Sequence, residues 1–159
     1  MRWDEFMATC PEIAEKGDER LGSAELCMLG TLRQDGSPRI SPCEVDLVDG
    51  ELMLGMMWQS KKALDLLRDS RCVVHSCIAD RWAPAVEVKL YGTAIEIQDQ
   101  ARRQRYRETI KARIDWEPEE PNFHVFAIDI ESAAYASFGN DHYALAWNPE
   151  KGLRRFALE

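Results

Sequence analysis

The sequence predicts an antiparallel β-barrel or sandwich carrying a few helices. Between residues 26 and 57, the stretches LCMLGTLR, PRISPCEVDLV and ELMLGMM are joined by QDGS and DG. Asp-Gly supplies the positive φ that tight hairpin turns require, so these stretches read as a three-stranded meander. Beyond residue 70 further strand-like stretches return by short connections. The 159 residues, 45% hydrophobic and 30% charged, suit one domain that buries a core without covalent staples.

Residues 1–20 read as short helices, with Trp3, Phe6, Met7 and Cys10 at helical spacing, Pro11 opening a second turn and Gly17 ending it. After the meander, Ser60 caps a helix over SKKALDLLRD. Its apolar positions Ala63, Leu64 and Leu67 are expected on one face, with Asp65 and Arg68 turned outward. A strand follows at 71–78 (RCVVHSCI), then a loop containing Arg81, Trp82 and Pro84, then a long strand at 86–97 where Gly92 marks a bulge or bend. Asp99 caps a second helix in which Tyr106, Ile110 and Ile114 recur every four residues. Arg102, Arg103, Arg105, Arg107 and Lys111 crowd its other faces, a pattern expected of a solvated surface. EPEEP is a loop, FHVFAIDIESAAYASF another strand, and YALAW with LRRF a last hairpin.

No repeat or long linker interrupts residues 1–159, so a single domain is expected. The net charge of −8 argues against a broad surface for nucleic acid or anionic lipid, and any anionic ligand needs a local basic cluster. No apolar run approaches a membrane span and the N-terminal stretch is unlike a signal peptide, so a cytoplasmic protein is expected. Cys10, Cys27, Cys43, Cys72 and Cys77 are odd in number without a CxxC pair, as free thiols in a reducing compartment are. Cys72, His75 and Cys77 do not share one face of a strand, so no metal is expected there.

Protease triads, Walker loops and GxGxxG turns are absent. The start of the helix at residue 60 has a physical reason to bind an anion. Its free N–H groups and dipole favour negative charge, and Ser60, Lys61 and Lys62 add a hydroxyl and two ammonium groups. Cations there disfavour a helix by about 0.3–1 kcal/mol each, which points to a compensating anion such as phosphate. Arg39 and Ser41 share one strand face and offer a second fork to the same anion. Met56, Met57 and Trp58 precede the helix, and thioethers and an indole suit the face of an aromatic cofactor as well as a core. Glu87 and Lys89 share a strand face, which an ion pair explains without a ligand.

The succession LGTLRQDGSPRISPCEV, DGELMLGMM, SKKALDLLRDSRCVVHS and EVKLYGTA resembles the pyridoxamine 5′-phosphate oxidase-related superfamily of flavin-binding split barrels, over residues 22–138. The resemblance implies a six-stranded split β-barrel, a homodimer, and FMN or a deazaflavin at the subunit interface. It assigns the cofactor phosphate to Arg39, Ser60, Lys61 and Lys62, and the isoalloxazine to Ile40, Ser41, Met56 and Met57. Glu87 aligns with a polar cofactor-contacting position that is often Gln. The chain departs from the oxidase itself: Glu44 stands where a substrate-binding lysine is expected, Ile110 where an arginine is, and GNDHYALAW lacks the Arg-x-His, while Tyr106 matches the expected tyrosine. A flavin-dependent oxidoreductase acting on a small molecule other than pyridoxine phosphate is therefore the first expectation. A deazaflavin-dependent reductase, or a non-catalytic flavin or haem binder using His75 or His124, are the alternatives.

Overall fold

Every strand pairing among the described residues is antiparallel, and the first half of the longest strand closes the sheet into a barrel. The computed structural model describes residues 1–22, 25–77, 86–139 and 142–158. Helices α1 (Trp3–Thr9) and α2 (Pro11–Gly17) run into a π-helical turn at Asp18–Gly22. Strands β1 (Leu26–Leu32), β2 (Pro38–Val48) and β3 (Glu51–Met57) form the expected meander. Helix α3 (Lys61–Arg68) and strands β4 (Arg71–Ser76) and β5 (Val86–Glu96) follow. After α4 (Gln100–Ile114) come β6 (Phe123–Phe138), β7 (His142–Asn148) and β8 (Gly152–Ala157). Residue 78 of the expected fourth strand and the loop with Arg81, Trp82 and Pro84 lie outside the described residues. No helix among the described residues is long and apolar enough to cross a membrane.

The strand order is β3-β2-β1-β4-β5-β6-β7-β8, and β3 also pairs with β6, so six strands close a barrel from which the β7–β8 hairpin extends. Residues 123–127 of β6 pair with β3 while residues 133–138 pair with β7. Asp49 and Gly50 both adopt positive φ (48° and 77°), as a two-residue hairpin turn demands. The expected irregularity at Gly92 is a register shift between Tyr91 and Gly92. A Cβ on Gly92 would fall 2.0 Å from the Asp129 carbonyl oxygen, so the two backbones meet where only glycine fits.

Cys27, Leu29, Leu54, Leu90 and Phe126 fill the barrel, where Phe6 of α1 reaches the same cluster and packs on Trp147 at 5.2 Å. A second core forms beneath α4, from Tyr106 and Ile110 against Met53, Phe123 and Val125. All five cysteines are free thiols.

Both helices beyond the meander differ from their sequence patterns. On α3, Ala63, Leu66 and Asp65 are buried, whereas Leu64 is 40% and Leu67 47% exposed. The helix turns a charged residue inward because the sheet opposite carries Arg39 and Thr31, which the carboxylate of Asp65 satisfies. On α4, Arg105 and Lys111 are solvated as expected, but Arg102, Arg103 and Arg107 are anchors. Arg103 is 6% exposed and forks onto Glu120 at 2.9 and 2.8 Å while also donating to the Ile97 and Phe123 carbonyls. Arg102 reaches Glu51 and Arg107 reaches Glu117. Ile114 extends past the packed face and is 45% exposed.

Candidate functional site

Strand β3 pairs with β2 only along Glu44–Val48, so the segment Pro38–Cys43 lacks a strand neighbour on that side. Helix α3 starts beside this open edge. Lys62 reaches across it and donates to the Pro42 carbonyl at 2.5 Å. Successive backbone groups alternate in direction along a strand, so Ile40 presents its own N–H and C=O to the same edge.

The inner face of β2 carries Arg39, Ser41 and Cys43, and its outer face carries Ile40, Pro42 and Glu44. Arg39 lies opposite Thr31 of β1 and binds Asp65 of α3 through Nε at 2.6 Å. Thr31 Oγ1 donates to the same carboxylate oxygen at 3.0 Å, and Arg68 reaches the other at 3.3 Å. Burial raises the pKa of Asp65, but these donors outweigh it and hold the group below its ordinary value.

Arg39, Lys61, Leu64, Asp65 and Arg68 line one groove of about 510 Å³, together with Arg33 of the first hairpin. Its wall thus has four cations against Asp65 and the neighbouring Asp35. Ser60 holds the cap position of α3 with extended backbone angles, yet its hydroxyl makes no cap bond. Ser60 Oγ is instead buried without a hydrogen-bond partner. An orphaned hydroxyl at a helix start flanked by two lysines fits an anionic oxygen ligand.

The sequence-predicted residues do not all converge. Arg39 and Lys61 line the groove, whereas Ser60 and Lys62 stand at the same helix end without lining it, and Lys62 turns to the Pro42 carbonyl. Met56 is 5% exposed inside the barrel, whereas Met57 is 82% and Ile40 71% exposed. Neighbouring strand residues point to opposite faces, so Met56 and Met57 cannot present side chains to one surface together. Glu87 does not line the groove. It pairs with Lys89 on its own strand and with His75 Nε2 across β4 at 3.2 Å. Burial raises its pKa, and Lys89 with His75 more than reverses the shift.

Asp65, Arg68 and Arg33 were missed by sequence reasoning. The one available signal is the i,i+3 spacing of Asp65 and Arg68, which reads equally as a surface ion pair. The β1–β2 register runs unbroken through Pro42, so Glu44 faces away from Arg39. Tyr106 and Ile110 are 2% and 0% exposed beneath α4, away from any surface a ligand can touch.

The two histidines also differ. His75 has both ring nitrogens engaged, by the Ser76 carbonyl at 2.7 Å and by Glu87. His124 stacks on Trp58 at 4.5 Å and 7°, binds Glu96 through Nδ1 at 2.6 Å, and keeps a buried, unpartnered Nε2.

A family model described as pyridoxamine 5′-phosphate oxidase matches residues 13–137. No curated protein matches the chain. Among solved structures, it is similar to a Clostridium acetobutylicum protein related to general stress protein 26 of B. subtilis, of the pyridoxinephosphate oxidase family. That likeness has a TM-score of 0.66 and 14% identity over 93% of this chain and 97% of the other. A putative pyridoxamine 5′-phosphate oxidase from Listeria innocua gives a TM-score of 0.63 and 18% identity, covering 79% and 98%. A haem-binding protein from Mycobacterium smegmatis gives 0.57 and 17%, covering 88% and 56%. At these identities the likeness is one of fold.

Proposed function

Because the chain belongs to the pyridoxamine 5′-phosphate oxidase family, we propose that it is an FMN-binding oxidoreductase acting on a small molecule. The observation that carries this reading is the α3 start. Arg39 and Lys61 line one groove there, and Ser60 Oγ, at the same helix start, is buried without a partner. Arg39, Ser60, Lys61 and Lys62 would hold the phosphate by charge-assisted hydrogen bonds. Ile40 and Ser41, which follow Arg39 on β2, and Met57, which ends β3 before α3, are the candidates for contact with the ring system, with Met56 buried behind. Glu87, outside the groove and paired with Lys89 and His75, is a candidate cofactor contact on the family resemblance alone.

When bound, FMN supplies the two-electron redox chemistry. The chain binds the phosphate, orients the ring and limits its access to water. Binding of FMN and riboflavin to the wild-type chain and to Arg39→Ala tests the assignment. The variant should lose roughly tenfold to a hundredfold in FMN affinity, as the loss of a charge-assisted hydrogen bond implies, with riboflavin unaffected. Equal losses for both flavins would refute a phosphate role for Arg39.

A deazaflavin carries the same kind of anionic attachment and would use the same groups. Haem has less support. Neither ring nitrogen of His75 is free, and His124 lies under Trp58.

A two-fold homodimer is part of the proposal. Ile40, Gly30, Val73 and Tyr91 lie in register across four strands of the outer face. Pro42, Met28, His75, Lys89, Ala134 and Ala146 form the next row. Ile40 is 71%, Tyr91 42% and Phe156 44% exposed. A broad face of small and apolar side chains, crossed by the mutually paired His75, Glu87 and Lys89, suits a symmetric partner.

A further inference from the structure

Given the phosphate site proposed above, on which this rests, we infer that Asp65 positions Arg39 for the phosphate and so sets the chain's preference for a phosphorylated flavin. Asp65 lies in the middle of α3 with a side chain only 5% exposed. Its two oxygens collect donors from three elements: Arg39 of β2, Thr31 of β1 and Arg68 at the end of its own helix. Arg68 also donates to the Leu32 carbonyl, so the carboxylate sits in a frame tied to the sheet at several points.

An arginine side chain has rotamer freedom that binding must otherwise remove, and its planar fork recognises phosphate best when its plane is fixed beforehand. Asp65 engages the Nε edge of Arg39 at 2.6 Å. Both Nη groups then remain in a fork that has no hydrogen-bond partner among the described residues, on a side chain 21% exposed to the groove. An asparagine would keep the shape of Asp65 but would turn an N–H₂ toward a guanidinium or offer only one acceptor to three donors. The carboxylate is the group this frame requires. Its charge is already offset by Arg39 and Arg68, so it adds order more than repulsion.

Calorimetric titration with FMN and with riboflavin tests the assignment through the ratio of their dissociation constants. The wild-type chain should favour FMN, and Asp65→Asn should reduce that preference roughly threefold to tenfold, the cost of ordering one long side chain on binding. Affinity for riboflavin should stay as it was. Thr31→Val removes a different bond to Asp65 and keeps the Arg39–Asp65 pair, so it should lower the melting temperature and leave the ratio alone. In an Arg39→Ala background, Asp65→Asn should have no further effect on the ratio.

An unchanged ratio in Asp65→Asn overturns the inference, as does tighter FMN binding, which would make Asp65 a competitor of the phosphate. A further loss in the Arg39→Ala background overturns it too. A wild-type chain with no preference for FMN refutes the phosphate site itself, whereas a preference that survives Asp65→Asn refutes this inference alone. If Asp65→Asn does not fold, the Arg39 Nε–H resonance of the wild-type protein decides. Protection from solvent exchange supports the inference, and exchange at the rate of a free guanidinium overturns it.

Discussion

The hydroxyl of Tyr106 lies directly over Gly55, so that a Cβ at residue 55 would fall 1.8 Å from the oxygen and 2.8 Å from the ring carbon that bears it. This contact joins α4 to β3 and closes the second core. Gly55→Ala should therefore destabilise the protein by about 2–3 kcal/mol, as overpacking of a filled core does. Tyr106→Phe should restore part of the loss by removing the nearest atom. Thermal unfolding of the single and double variants checks this, and a Gly55→Ala protein as stable as the wild type would show that α4 sits more loosely.

Asp65 should make its mark on the acid side of the stability curve. Its folded-state pKa lies below the ordinary carboxylate value of 3.8, since the donors from Arg39, Thr31 and Arg68 outweigh the effect of burial. A depressed carboxylate contributes stability that is complete above its unfolded pKa and is lost as pH falls through the folded one. The stability gap between wild type and Asp65→Asn should therefore be widest near neutral pH and shrink below about pH 4. Urea unfolding at several pH values measures the gap, and a pH-independent gap contradicts the ion pair.

The outer sheet face should hold two copies together. An interface of obligate character buries on the order of 2,000 Å² or more, and a pair of buried charges at its centre would disrupt it. Tyr91→Glu combined with Phe156→Glu should convert a dimer to a monomer in light scattering at micromolar concentration. A monomeric wild type, or a variant that stays dimeric, argues against this face.

Pyridoxine phosphate should not be turned over at a useful rate. Tyr106 and Ile110, which stand at the oxidase's tyrosine and arginine positions, are on the buried face of α4, and Glu44 stands in place of a cation on the outer face of β2. Steady-state assay of the flavin-loaded protein should find turnover far below about 1 per second, a rate ordinary for enzymes. Turnover at that rate or faster would contradict the expectation.

The meander, the bulge at Gly92 and the six-stranded barrel were legible because Asp-Gly turns and alternating strands are local signals, completed by the order of motifs along the chain. The facing of α3 was not. Apolar spacing selected Leu64 and Leu67, but Asp65 is drawn inward by Arg39, which lies 26 residues earlier, and no local pattern records that attraction. The same reason hid Arg33 and Arg68 in the groove, and it turned Arg103 of α4 from an expected solvated residue into an anchor on Glu120, while Arg105 and Lys111 stayed on the surface. Strand parity placed Arg39 and Ser41 on one face, and the unbroken register keeps them there with Glu44 on the other. Reading Met56 and Met57 as one surface overlooked the same alternation.

The central claim, that this chain binds a phosphate-bearing flavin through the start of α3, is tested most directly by the native protein's visible spectrum and the mass of what it releases on denaturation. The account predicts the absorption of an oxidised flavin and a released molecule with the mass of FMN, in a ratio of one per chain. A haem spectrum, or a colourless protein that takes up no FMN when it is added, would contradict it.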